Sequence, residues 1–213
     1  MAVAVLWSRW GESTGALVEA ARSAAKPEER LSAIDRLATV PSEEASAVLA
    51  EAAQDPSPEV ATRAVLALGR RADPKTLPTL RTVATKDPRP AVREAGVVAV
   101  GRLGARTDPE VLVQALRKDP SARVRATAAK WIGLLRYWEG MPALIEGLRD
   151  EDLRVRQAAY GAIRRLWGRD FLYRADAPPE EREARIRLIE GSWESYRASR
   201  NFKMFRWRKE GQP

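Results

Sequence analysis

Asp55-Pro56-Ser57-Pro58-Glu59-Val60, Asp87-Pro88-Arg89-Pro90-Ala91-Val92 and Asp119-Pro120-Ser121-Ala122-Arg123-Val124 are one phrase written three times. Successive aspartates stand 32 residues apart, and a fourth copy with one residue fewer in its turn places Val155 31 residues after Val124. Four residues past each valine comes a small residue (Ala64, Gly96, Ala128, Ala159), and eight past it an aliphatic one (Leu68, Val100, Ile132, Ile163). That spacing is one face of a helix. A second apolar run completes each period, as in Leu77 with Leu80, Val111 with Leu112 and Leu116, and Met141 with Leu144 and Leu148. Each period therefore predicts a helical hairpin, and a fixed period of this length predicts a solenoid in which neighbouring hairpins bury each other.

The Asp-Pro turns, the Val-Arg pairs (Val92-Arg93, Val124-Arg125, Val155-Arg156), the small mid-helix residues and the glycines Gly69, Gly101 and Gly133 resemble the HEAT repeat, specifically the short bacterial type of phycobilisome-lyase-like proteins. The resemblance covers roughly residues 27 to 168. It implies an all-α fold: a right-handed α-solenoid of about five stacked hairpins with N- and C-terminal caps. It also implies that the second helices line a concave face. Such a fold serves many partners, so function has to be read from particular sites.

Outward from the repeats, residues 1–54 read as an N-terminal cap with a degenerate first hairpin. Ser13 or Thr14 would cap a first helix carrying Leu17, Val18 and Ala21 on one face. The hairpin after Pro27 keeps Ala33 and Leu37 in register but lacks the Asp-Pro phrase and the Val-Arg pair. The Trp7-Ser8-Arg9-Trp10 stretch has two readings, rings that bind a partner or rings folded onto these first helices, and the second is the expected one.

Beyond the repeats of 55–168, residues 169–200 read as a loop and a capping helix. Gly168 to Arg182 resembles the closing segment of many bacterial HEAT-repeat proteins, with Leu172 where glycine is usual and Arg174 where aspartate is usual. Pro178-Pro179, then Glu180 and Glu181, then Ile186, Ile189, Trp193 and Tyr196 mark a helix expected to close the end of the stack. Trp131 occupies a slot held elsewhere by Ala67, Ala99 and Ala162, and is expected to meet that helix.

Composition limits the chemistry. The 213 residues include no cysteine and no histidine, which removes disulfides, thiolate nucleophiles, imidazole bases and the usual zinc ligands. There is no phosphate-binding loop and no dinucleotide fingerprint. Acidic pairs such as Glu190 with Glu194, or Asp150 to Asp152, read as surface features, so no catalytic residue and no cofactor are expected. No signal-peptide core and no stretch approaching the ~20 apolar residues of a membrane span occurs, and the expected location is the cytoplasm.

The net charge is +8, and five of those charges lie in 195–213, where Arg197, Arg200, Lys203, Arg206, Arg208 and Lys209 face Glu210 alone. The tail 201–213 alternates Phe202, Phe205 and Trp207 with Lys203, Arg206 and Arg208. Two readings of it stay open: rings inserted into a partner, or rings folded over the last repeat. The repeated aspartates and arginines read as helix caps and inter-repeat pairs. On the second helices the exposed positions (Lys75, Arg81 and Lys86; Gln114, Arg117 and Lys118; Glu146 and Arg149) form a mildly basic strip.

The resulting expectation is a non-catalytic protein-protein interaction scaffold that holds a partner, such as a protein with an acidic surface, through this strip or the tail. Binding of nucleic acid or of an anionic membrane surface is the alternative, and DNA glycosylase or bilin-lyase accessory activity are remoter ones that the resemblance brings.

Overall fold

The computed structural model describes residues 13–104 and 109–199. The Trp7–Trp10 segment and the tail residues Phe202, Lys203, Phe205, Arg206, Trp207 and Arg208 lie outside the described residues. Contacts divide the chain into two compact units, residues 1–115 and 116–213.

Eleven α-helices and no strand occur among the described residues: α1 (Thr14–Ser23), α2 (Pro27–Leu37), α3 (Glu43–Ala52), α4 (Pro58–Arg71), α5 (Leu77–Lys86), α6 (Pro90–Leu103), α7 (Glu110–Lys118), α8 (Ala122–Leu134), α9 (Met141–Gly147), α10 (Leu153–Trp167) and α11 (Pro179–Ala198). Pro at the first turn of α2, α4, α5, α6, α9 and α11 marks their starts, since a proline there gives up only an amide that has no partner within the helix.

In the first unit α1 packs on α2 and α3, α2 on α4, and α4 on α6, while the second helices α3 and α5 lie against the next first helix, α4 and α6. The Ser13 hydroxyl accepts from the Ala16 amide and caps α1, whose buried residues are Leu17, Val18 and Ala21. Arg71 fastens the end of α4 to the preceding hairpin, with Nε on the Ser46 hydroxyl (2.9 Å) and Nη2 on the Ser42 carbonyl (2.8 Å). The second unit repeats the scheme, with α8 on α10, α9 on α10 and α9 on α11.

Glycine marks the tightest crossings. A Cβ on Gly69 would stand 2.7 Å from Ala99 Cα, and one on Gly133 2.7 Å from Ala162 Cα. These are first-helix crossings, α4 on α6 and α8 on α10, and the second residue of each pair belongs to the alanine slot of the repeat. Gly96 plays the same part between α6 and α5, where a Cβ would lie 2.7 Å from the Ala84 nitrogen.

The repeated aspartates act two residues earlier than expected. The N-caps are Ser57, Arg89, Ser121 and Asp152. Each repeated aspartate accepts from the amide of the cap residue: Asp55 from Ser57 (2.7 Å), Asp87 from Arg89 (2.9 Å), Asp119 from Ser121 (2.8 Å) and Asp150 from Asp152 (2.9 Å). In the first three copies the intervening proline fixes φ, and in the fourth Glu151 stands there, yet in each the carboxylate folds over the turn that feeds the helix rather than over the helix end itself.

The repeated arginine staples consecutive turns. Arg125 sends Nη1 back to the carbonyls of Asp119 and Pro120 (3.0 and 3.3 Å) and its other two nitrogens forward to both oxygens of Asp150 (2.8 and 2.9 Å). Arg30, in the hairpin read as lacking the pair, does the same at the same offsets. It reaches back to Ala24 and Ala25 (2.8 and 3.4 Å) and forward to Asp55 (2.7 and 3.0 Å). The next repeat has Ala61 at this position. There Arg89 fills the gap from the other side, binding the Asp87 carboxylate (2.8 and 2.9 Å) and placing Nη1 on the Asp55 and Pro56 carbonyls (2.7 and 3.5 Å). At the last copy Arg156 reaches the Ala175 carbonyl (2.8 Å), so the closing loop takes the place of a further repeat.

That loop is organised on Tyr160. Its hydroxyl donates to the Asp170 carboxylate and accepts from the amides of Phe171 (2.9 Å) and Tyr173 (3.3 Å). Asp170 also accepts from the Leu172 amide (2.8 Å), and the Tyr173 hydroxyl donates to the Leu148 carbonyl (2.7 Å). Leu172 takes up the glycine conformation its position calls for, with φ +54°, and keeps its side chain 66% exposed. α11 then covers the end of its unit with Ile186, Ile189 and Trp193 buried. The ring that meets it is Trp138, stacked on Trp193 and Tyr196 (centroids 6.3 and 5.0 Å), together with Trp167 edge-on to Trp193 (6.3 Å). Trp131, expected in that place, is half-buried on α8.

Candidate binding surface

The strip anticipated on the second helices exists as a set of exposed or half-buried side chains, and much of its charge is matched by carboxylates. In the first unit Lys75, in the turn before α5, holds Glu43 of α3 at 2.5 Å. In the second, Arg117 of α7 makes a two-pronged pair with Glu146 of α9 (2.7 and 2.8 Å). Arg149, after α9, grips Glu183 with two nitrogens (3.0 and 2.6 Å) and Glu190 with the third (2.8 Å).

Electrostatics follow the geometry. Hydrogen bonds that Arg149 donates to Glu183 and then to Glu190 raise its guanidinium above the usual range, and Arg149 in turn holds the Glu183 carboxyl below its own. Exposed pairs of this kind contribute little stability, but they cancel the field that would attract an anion. Gln114, Lys118 and Lys86 are exposed, and Arg81 is half-buried.

Lys86 sits at a groove. The end of the first hairpin (Ala53, Gln54) and the exposed side of α5 (Pro78, Thr79, Thr82, Val83) enclose an open cleft of about 440 Å³ between consecutive second helices. The equivalent place in the second unit, between Leu148 and α11, forms a cleft of about 400 Å³. There Arg149, Glu183, Arg182 and Arg187 crowd the walls around Ile186. The first cleft is thus lined by small apolar, hydroxyl and amide groups with Lys86 and Asp87 side by side at one end, the second mostly by charge. Reading the sequence missed both, because a groove depends on the gap between two helices and has no signature in either.

Among the described residues no group of three acidic side chains is placed to hold a metal ion, and no helix is long and apolar enough to cross a membrane. The carboxylates singled out as conceivable pairs are engaged elsewhere: Asp150 by Arg125, Glu190 by Arg149.

A family profile described as HEAT repeats matches residues 14–104 and 109–190. Among solved structures, the complex of CpcE and CpcF of phycocyanin lyase from Nostoc sp. PCC7120 superposes with a TM-score of 0.59 at 20% identity. That match covers 74% of this chain and 66% of the other, just under two thirds of its length. An engineered protein superposes at 0.54 (16% identity, 86% of this chain and 97% of that one). A designed armadillo repeat protein in complex with the peptide (KR)4 does so at 0.50 (17% identity, 92% and 96%). At these identities the likeness is one of fold. No curated protein sequence matches the chain.

Proposed function

The chain belongs to the HEAT-repeat family, and from that premise we propose that it is a non-catalytic scaffold that holds another protein along its second helices. The observation that carries this reading is the cleft of about 440 Å³ between α3 and α5. Its walls are fixed by the stacked helices, it is apolar at Ala53 and Val83, and Lys86 and Asp87 stand together at one end, where Lys86 would meet an acidic side chain of the partner and Asp87 a donor. Preformed walls lower the ordering cost of binding, so a modest cleft can still anchor a partner. Lys118 and Gln114, exposed on α7, belong to the same proposal, as does the tail with Phe202, Phe205 and Trp207 as candidate anchors. Two fold-level neighbours work in company, one as a two-component complex and one with a bound peptide, which supports the reading without naming a partner.

Absence of catalysis is part of the proposal. The absence of histidine and cysteine from the sequence, and the ties of Asp150 and Glu190 to arginines, support this reading. Turnover by the chain alone that one carboxylate-to-amide change abolishes, with the fold intact, would overturn it.

The test of the binding role is the variant Thr82→Trp, which places an indole in the cleft from an exposed helical position. Loss of a protein partner retained by the wild-type chain, with an unchanged melting temperature, is the expected result. Retention of that partner by Thr82→Trp removes the cleft from the account.

A further inference from the structure

α8 and α10 are the acid-free helices among the first helices of the repeats. The 13 residues of α8 and the 15 of α10 include no Asp or Glu. α2 carries Glu28, Glu29 and Asp35, α4 carries Glu59, and α6 carries Glu94. The cations of α8 and α10 fall into two classes. Arg125 and Arg156 turn inward and are consumed by the stack. The others lie along one exposed stripe of each helix: Arg123 and Lys130 on α8, seven residues apart, and Arg154 and Arg165 on α10, eleven apart, with Arg164 beside them. These are whole-turn spacings, so each stripe runs along its helix. The Gly133–Ala162 contact packs the two helices closely against each other, and Arg123 and Arg154 hold equivalent positions one repeat apart.

Neutralisation of this surface is partial. Arg154 pairs with Asp152 (2.8 Å) and Arg164 stands 3.5 Å from Asp170. Among the described residues Lys130 and Arg165 have no carboxylate within ion-pair distance. Nothing crowds the middle: a Cβ built on Gly161, between Arg154 and Arg165, meets no atom within 4 Å. Apart from Asp150 to Asp152 and Asp170 at the two ends of α10, acids of this unit such as Glu146, Glu183 and Glu190 lie on other elements, so charge is partly segregated within it.

We propose that the exposed face of α8 and α10 binds the phosphate backbone of a nucleic-acid duplex, without reading its sequence. Guanidinium forks suit phosphate oxygens, and affinity from such contacts needs no apolar anchor. Tyr160, 6.0 Å from the Arg164 guanidinium, and Trp131, next to Lys130, are only half-buried, and Leu134 and Leu153 are exposed, but no ring stands fully exposed as a protein anchor or a stacking platform would require, so cations dominate this face. The bare Gly161 lets a sugar-phosphate chain approach the helix closely. This surface shares no residue with the α3–α5 cleft and does not depend on the scaffold reading.

The test is fluorescence anisotropy of the full-length chain with a labelled random-sequence DNA duplex over a salt series. Lys130→Gln with Arg165→Gln should weaken binding on the order of ten-fold at low salt and flatten the slope of log K against log salt by about 2, two phosphate contacts being lost. Lys130→Arg with Arg165→Lys should bind as the wild type does. The proposal is overturned if the wild type does not bind the duplex, or if the glutamine pair binds unchanged while Lys203→Gln with Arg206→Gln abolishes binding. Polyglutamate that displaces the duplex at equal charge concentration would also overturn it, in favour of an acidic protein.

Discussion

Arg125 and Asp150 meet as a two-pronged ion pair (2.8 and 2.9 Å) across 25 residues of sequence, with side chains only 10% and 12% exposed. The same guanidinium satisfies two carbonyls of its own turn, so one side chain ties the start of α8 to the turn that starts α10. Removing it leaves a largely buried carboxylate and two carbonyls without their donor. Arg125→Met should therefore cost about 3 kcal/mol by denaturant unfolding. A loss below about 0.5 kcal/mol, the size of an ordinary surface change, would show that the staple is ornamental.

Acid should loosen these turns in a defined window. Burial works against the charge on Asp55, yet the Arg30 guanidinium, the Ser57 amide and Arg89 outweigh it and hold the carboxyl below its usual range. Asp87 is held down chiefly by Arg89. A carboxyl lowered by folding gives its full stabilisation above the unfolded value, near 4, and loses it as pH falls through the folded value. The melting temperature should be level from about pH 7 to about 5 and decline below about 4. Asp87→Asn should lower it at neutral pH, with the two curves converging in acid. Parallel curves would remove Asp87 from the acid transition.

Leu172 holds φ +54° with a side chain that is mostly in water. A branched apolar residue in the left-handed region carries a conformational cost that glycine lacks, and here little burial is forfeited in exchange. Leu172→Gly should stabilise the chain by about 1 kcal/mol, read as a rise in melting temperature. A fall would mean that the exposed side chain packs where the structure leaves it bare.

Two helical glycines should respond with opposite signs to the same substitution. Gly133→Ala would drive a methyl into the Ala162 backbone at 2.7 Å and should destabilise by roughly 1 to 3 kcal/mol. Gly161→Ala adds a methyl into open space in mid-helix and should stabilise by up to about 1 kcal/mol. Equal responses would show that helix propensity, and not the crossing of α8 and α10, governs both sites. Ala128, fully buried, extends the test: Ala128→Phe should overpack the same layer.

The period made the helices legible because every repeat solves the same packing problem with the same residues, from Val60 to Val155 and from Ala64 to Ala159. The staple was legible where the valine precedes its arginine, and hidden at Arg30, whose neighbours lack that mark, and at Arg89, which acts only because Ala61 is short. The basic strip was misleading as a tally of charge, since the carboxylates that answer Arg117 and Arg149 lie 29 to 41 residues further on. Trp138 rather than Trp131 meets α11 for a related reason: the turn before α9 turns its ring toward the capping helix, and residue spacing does not report the path of a turn.

The most direct measurement of the scaffold claim is affinity capture with the full-length chain and with Thr82→Trp, before and after nuclease treatment, between about 50 and about 200 mM salt. A scaffold of this kind retains a protein partner through nuclease treatment and across that salt range, and Thr82→Trp fails to retain it. Capture of nuclease-released partners alone, or of a nuclease-resistant protein held equally by both chains, would contradict the claim.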